Sequence, residues 1–185
     1  SRLSAEVASY TGKSGSDYFS EYKVGVQKRG DKFLAGLDLG TYRETNSFLG
    51  SSSTGAFELK SPSRTQYLRA HLNYDFNEKS TSSLSIGKTR TLVSFKNADF
   101  IGFAPILGQY AAADLTLKDI FGSGERLKFS VMMPFNIRKA DLSVNTIDGY
   151  TSDGSYFSSK KTYDLSSSRV PFILGIGYAA TIGNA

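Results

Sequence analysis

At 185 residues the chain is long enough for one domain with a real core, and no linker divides it into two. Its 39% hydrophobic and 21% charged residues exclude a disordered chain and a helical membrane protein, while 13 Phe and 11 Tyr without a Trp favour strands and turns. The net charge of +5 is spread over separated pairs (Lys28-Arg29, Arg138-Lys139, Lys160-Lys161), which argues against nucleic acid as a partner, and the lack of cysteine excludes disulfides, thiolate metal sites and thiol nucleophiles.

The chain opens Ser1-Arg2-Leu3, with no Met and no basic stretch before an apolar run, so a mature or excised piece of a longer protein is expected. Gly12-Lys13-Ser14-Gly15-Ser16 has the composition of a phosphate loop but not its spacing, and reads as a turn. Arg29-Gly30-Asp31-Lys32 predicts a tight turn between the second and third strands. Beyond it Phe33, Ala35, Leu37 and Leu39 alternate with Leu34, Gly36, Asp38 and Gly40. After a polar loop at Asn46–Gly55 comes the clearest period of two. Leu68, Ala70, Leu72, Tyr74 and Phe76 share one face, and Tyr67, Arg69, His71, Asn73 and Asp75 the other.

Asn77-Glu78-Lys79-Ser80 predicts a turn into a strand around Leu84 and Ile86. Leu115 and Leu117 then alternate with Asp114, Thr116 and Lys118. Gly122-Ser123-Gly124-Glu125 leads into Leu127, Phe129, Val131, Met133 and Phe135, which share a face. Pro134 within that run removes a ladder donor and predicts a bend, bulge or edge. Asp148–Lys161 reads as a second long polar loop, and Val170, Phe172, Leu174, Ile176 and Tyr178 form the apolar face of a last strand.

Connections this short join antiparallel neighbours. The pattern predicts an all-β fold: an antiparallel up-and-down meander of roughly eight to ten strands in a single domain spanning 1–185, closed into a barrel, with a two-sheet sandwich as the alternative. Glycines on the polar face (Gly36, Gly40, Gly87, Gly175, Gly177) suit a tightly curved sheet. Alternation alone leaves open whether the apolar face meets a core or lipid. The glycines beside Asp38, His71 and Asp75 lean towards lipid. The missing Trp, the mean hydropathy of -0.26 and the ending Ile182-Gly183-Asn184-Ala185 lean the other way. If polar groups line a lumen, the residues expected there are Asp38, Arg69, His71, Asn73, Asp75, Lys88 and Arg90.

No catalytic residue, cofactor or metal ligand is predicted. His71 is the single histidine, it sits on the polar face of a strand, and no Gly-x-Ser-x-Gly elbow accompanies it. Asp148-Gly149-Tyr150-Thr151-Ser152-Asp153-Gly154 has oxygen donors but lacks the alternating carboxylates of a calcium loop, and reads as a hairpin tip.

The stretch from Gly122 through Val131-Met132-Met133-Pro134-Phe135-Asn136-Ile137, continued by the Tyr150–Ser159 loop and Asp164–Arg169, resembles the C-terminal β-region of subtilisin-like serine peptidases of the autotransporter-like kind. In that family a Gly-Asp-x-Leu turn leads into a strand carrying Ser-x-Pro-Leu-Arg-Val, followed by a Leu-x-Pro-Ser/Ala-x-Arg-Glu segment. The family's Gly-Thr-Ser-Met serine motif and its Asp and His motifs are absent, so no catalytic role transfers. The resemblance implies a non-catalytic β-barrel domain of an exported bacterial protein, in the outer membrane or at the cell surface. Its work would be anchoring, translocation or folding support. Its partners would be an upstream catalytic or passenger domain of the same protein and outer-membrane lipid. An independent outer-membrane barrel (a pore or adhesin), or a soluble barrel for a hydrophobic ligand, is the competing expectation.

Overall fold

The computed structural model describes residues 1–14, 17–120 and 124–180. Residues 15 and 16 of the glycine-rich turn, 121–123 before the Pro134 strand and the 181–185 ending lie outside them. Eight long strands form one antiparallel sheet: β1 (Arg2–Ser14), β2 (Asp17–Arg29), β3 (Phe33–Glu44), β6 (Ser63–Asn77), β7 (Ser80–Leu92), β9 (Ile106–Lys118), β10 (Arg126–Lys139) and β13 (Ile173–Ala179), in that spatial order. The all-β, antiparallel reading is therefore correct. Among the described residues β1 pairs only with β2 and β13 only with β10, so the sheet is open between them.

The two ends of the sheet differ. At the turn end the connections are tight. Gly30 N–H donates to Phe33 O, and the Asn77 carboxamide oxygen accepts from Lys79 N and Ser80 Oγ, which fixes the 77–80 turn. At the loop end the chain makes long excursions. One holds the two-residue strands β4 (Ser47–Phe48) and β5 (Ser51–Ser52) and a short 3-10 turn (Gly55–Phe57). The next holds β8 (Ile101–Phe103). The third is not the loop expected at 148–161 but a hairpin, β11 (Asp141–Tyr150) with β12 (Tyr156–Asp164), to which β8 adds a third strand.

A small core sits at the loop end. Phe95 and Ile106 are fully buried, and the Phe95 ring packs edge-on against Phe48 and Phe57 and tilted against Phe103. Beneath it Thr65 and Thr91 share a buried hydroxyl hydrogen bond of 2.8 Å. Buried Glu44 accepts from the amides of Leu49 (2.8 Å) and Gly50 (2.9 Å). Both residues have positive φ, so the carboxylate holds a left-handed turn that Leu49 would not adopt by itself.

Elsewhere the sheet has two faces and no second layer. The total accessible surface is 12487 Å², against about 8,700 Å² for a compact monomer of this mass. The excess is apolar: Val7 is 82% exposed, Leu174 78% and Ile176 76%. A single row of register partners illustrates it: Leu3, Lys28, Ala35, Leu72, Leu84, Ala113, Val131 and Leu174 lie side by side across all eight strands.

The opposite face is crowded, and glycines make room for its rings. A Cβ on Gly40 would fall 2.3 Å from the Tyr67 ring, one on Gly87 2.3 Å from Tyr110, one on Gly12 2.0 Å from Phe19 and one on Gly36 2.5 Å from His71. In each case the ring belongs to the glycine's direct register partner. These joints let the sheet bend towards its polar face. Pro134 acts as its sequence predicts. The register between β10 and β9 slips between Met133 and Asn136, and this carries Phe135 off the apolar face to lie over Gly108.

Filling a glycine socket should therefore cost stability. Gly40→Ala is expected to lose about 1–3 kcal/mol by overpacking against Tyr67, with partial recovery in Gly40→Ala/Tyr67→Leu. Gly102→Ala, with nothing within 4 Å of its Cβ, should be near neutral. Denaturation midpoints of the three variants check this.

Candidate functional site

The chemistry of the chain is concentrated in one belt on the polar face. Glu6, Gly25, Asp38, Arg69, Gly87 and Tyr110 form a register row across β1, β2, β3, β6, β7 and β9. Asp38 is its centre, only 4% exposed. Its Oδ2 accepts from Arg69 Nε at 2.7 Å and lies 2.6 Å from Arg69 Nη2. Gly25 leaves room for this carboxylate, since a Cβ there would fall 2.4 Å from Asp38 Oδ1. Burying a carboxylate is expensive unless a hydrogen-bonded cation compensates it, and Arg69 supplies that compensation.

Around this pair lie further partners. Lys23 Nζ meets Glu6 at 2.9 Å, and the Tyr67 hydroxyl donates to Glu21. Lower on the same face Asp114 takes Lys128 at 3.2 Å and the Ser83 hydroxyl at 3.1 Å. Sequence reasoning did not single out Glu6, Glu21, Lys23, Tyr110, Asp114 or Lys128. The signal that finds them is strand parity combined with register, and register is absent from the sequence pattern.

His71 stands 3.5 Å from Asp38 Oδ2 through Nδ1, but that nitrogen makes no hydrogen bond. Its Cε1 and Nε2 lie over Gly36 on the β3 side, whereas its register partner Ser85 is on the β7 side. Asp38 is already engaged by Arg69. His71 is thus a ring filling a glycine socket beside the Asp38–Arg69 pair.

Asp38, Arg69, His71, Asn73 and Asp75 share the polar face, as their alternation implies. Asn73 and Asp75 sit exposed towards the turn end, where Asp75 accepts from Thr81 Oγ1 at 3.0 Å. Lys88 and Arg90 do not belong with them. They pair in register with Leu68 and Gln66 and lie on the apolar face. Their positions have the parity of Leu84 and Ile86, and a period of two admits no exception for charge without a bulge.

The tip between β11 and β12 is a turn closed on itself. Thr151 Oγ1 donates to Asp153, and Ser155 N donates to it at 3.1 Å. These bonds, the Thr151 hydroxyl foremost, hold the Asp153 carboxyl below its ordinary range. The Ser166 amide does the same for Asp164. The hairpin-tip reading thus accounts for Asp153, while Asp148 lies within β11 and accepts from Thr146 Oγ1 at 3.2 Å.

Removing the cation from the central pair should leave a buried charge stranded. Arg69→Met is expected to destabilise the folded chain by about 3 kcal/mol, and Lys128→Met, whose ion pair is half-exposed, by less than about 1 kcal/mol. Parallel urea titrations compare them.

No family model, curated protein or solved structure matches this chain.

Proposed function

We propose that this chain is a non-catalytic, membrane-embedded β-barrel domain that anchors an exported protein in an outer membrane. The observation that carries the reading is the inversion of the two faces: Leu and Val side chains project into solvent while Asp38, Thr65 and Thr91 are buried on the other side. A soluble carrier would crowd its apolar face and wet its polar one. The reverse holds here, and it matches a barrel whose surroundings are hydrocarbon. The apolar face of β6 runs from Leu68 to Phe76, roughly 20 Å of membrane height for a strand tilted by about 40°. The asymmetry of tight turns at one end and long excursions at the other fits the same architecture, with the loop end outermost.

Such a sheet has to close, because an unpaired edge in hydrocarbon leaves its N–H and C=O groups unsatisfied. β1 and β13 offer a matching seam. Gly177 is a polar-face glycine with nothing within 4 Å of its Cβ, while Tyr10, on the polar face of β1, is 51% exposed. Setting Tyr10 directly opposite Gly177 repeats the Gly40–Tyr67 and Gly87–Tyr110 joints. The row that leaves β1 at Leu3 and reaches Leu174 on β13 would then return to β1 at Lys13, a stagger of roughly 10 residues, which suits eight strands. The row already climbs in this sense, since it crosses β3, β7 and β10 progressively further from their first residues, at Ala35, Leu84 and Val131.

A closed eight-stranded interior is filled by its side chains, and the Asp38–Arg69 belt would cross it. This supports anchoring over a pore or a translocation channel. The anchored partner would be an upstream domain of the same protein. The resemblance of the segment from Gly122 points to a subtilisin-like catalytic unit.

Two measurements test the reading. The full chain should fold to a β-rich state only with detergent or lipid vesicles, and a monodisperse folded monomer in plain buffer would sink the proposal. In the cysteine-free background, Thr11→Cys/Ile176→Cys should cross-link within the folded monomer, while Thr11→Cys/Leu174→Cys and Thr11→Cys/Tyr178→Cys should not. Equal cross-linking of all three would reject the Tyr10–Gly177 register.

A further inference from the structure

The charged residues on the apolar face of the eight strands are Lys13, Lys28, Arg43, Arg64, Lys88, Arg90 and Lys139, and no Asp or Glu of these strands lies on that face among the described residues. All but Lys28 gather towards one end. Lys13, Arg43, Arg64 and Arg90 each sit one or two residues from the loop end of their strand. Arg43, Arg64, Lys88 and Arg90 are exposed, and no carboxylate among the described residues pairs with any of them. Every strand carboxylate that could have served them faces the other way.

Arg43 and Arg64 are also direct register partners. Like charges set opposite each other repel, and an anion between or beside them would relieve that repulsion. Among the described residues the side chains of this pair make one polar contact, Arg64 Nε donating to Thr41 Oγ1 at 3.3 Å.

Beside these cations runs an apolar groove of about 930 Å³. Its floor is a register row, Val7, Val24, Leu39 and Leu68, and the next residue in that row is Lys88, with Arg90 above it. An apolar trough ending in unpaired cations at one fixed height is complementary to an amphiphile with a hydrocarbon tail and an anionic head.

We infer that Arg43, Arg64, Lys88 and Arg90 form a binding site for the anionic phosphate headgroups of lipids in the leaflet on the long-loop side, with an acyl chain lying along the Val7–Leu68 row. The inference rests on the membrane-barrel reading. The cations supply charge and donors at headgroup level, where cationic side chains strengthen association with anionic lipid. Guanidinium groups add forked donors matched to phosphate oxygens.

The test uses the full chain reconstituted in phosphatidylcholine vesicles carrying spin-labelled phosphatidic acid or spin-labelled phosphatidylcholine, with the motionally restricted fraction of each lipid as readout. Phosphatidic acid is expected to be restricted in preference by about fivefold. The preference should disappear in Arg43→Gln/Arg64→Gln/Lys88→Gln/Arg90→Gln and persist in Lys28→Gln, whose cation lies at the turn end. A quadruple variant that folds and keeps the preference, or a wild-type chain that shows none, overturns the site while leaving the barrel intact. Loss of the preference on adding inorganic phosphate at matched concentration and ionic strength would mean a general anion site and would also overturn the assignment to lipid. A chain that restricts neither lipid and stays soluble and folded without detergent would defeat the barrel reading itself.

Discussion

Side chains on a strand alternate between two surfaces, and with eight strands in register, broken only by shifts at the end of β6 and within β10, this makes nearly every residue of the sheet belong to one face or the other. The rest of the structure follows from how the chain uses that division. Carboxylates go to one face only, where each finds a donor: Asp38 with Arg69, Glu6 with Lys23, Glu21 with Tyr67, Asp114 with Lys128. The other face keeps Leu, Val, Ile, Phe and Ala, broken only by cations and small polar groups towards its margins. A sheet divided in this way cannot be stabilised by burying its apolar side against itself, because no second layer exists. Its stability depends on the paired polar face and on whatever covers the apolar one.

Curvature is the second consequence. Large rings on the polar face would force the sheet flat if they met Cβ atoms across each strand pair. Setting each ring against a glycine partner removes that obstacle. The same device couples register to curvature. A one-residue slip would move every ring from a socket to a clash and turn every apolar residue to the polar face. This is why a socket at Gly177 with nothing within 4 Å of its Cβ and an exposed Tyr10 bear on the proposed closure, in which they would be the two halves of one joint.

Much of this was legible in the sequence, for identifiable reasons. The period of two at Leu68–Tyr74 and Leu127–Met133 identified strands and faces because those runs have no bulge. The turns at 29–33 and 77–80 carried Gly, Asp and Asn at positions that a tight reversal requires. Where the reading failed, chemical intuition displaced geometry. Lys88 and Arg90 were grouped with Asp38 and His71 because they are polar, although their parity with Ile86 assigns them to the apolar side. Phe135 failed for the opposite reason: parity was followed across Pro134, where a bulge resets it. The β11–β12 hairpin was hidden because Ser158 to Thr162 of β12 are polar on both sides and the register of β11 slips between Ile147 and Gly149, so alternation gave no signal across 148–161. The belt around Asp38 could be listed only in part. Glu6 and Glu21 lie far from it in sequence, and only the pairing of four strands brings them together.

The two polar systems of the sheet differ in a way that bears on what the molecule does. The belt at Asp38 is internally neutralised: its acids and bases meet at 2.6–2.9 Å, and its central carboxylate is sealed from solvent. Such a network holds a structure together and offers little to a ligand, because any incoming ion would have to displace a partner already in place. Arg43, Arg64, Lys88 and Arg90 at the loop-end margin are the reverse. They are exposed, unpaired and in one place opposed to each other, so their field is available to a ligand. The charge left open to a ligand therefore lies not in the Asp38 belt but on the margin where an apolar surface gives way to unneutralised positive charge.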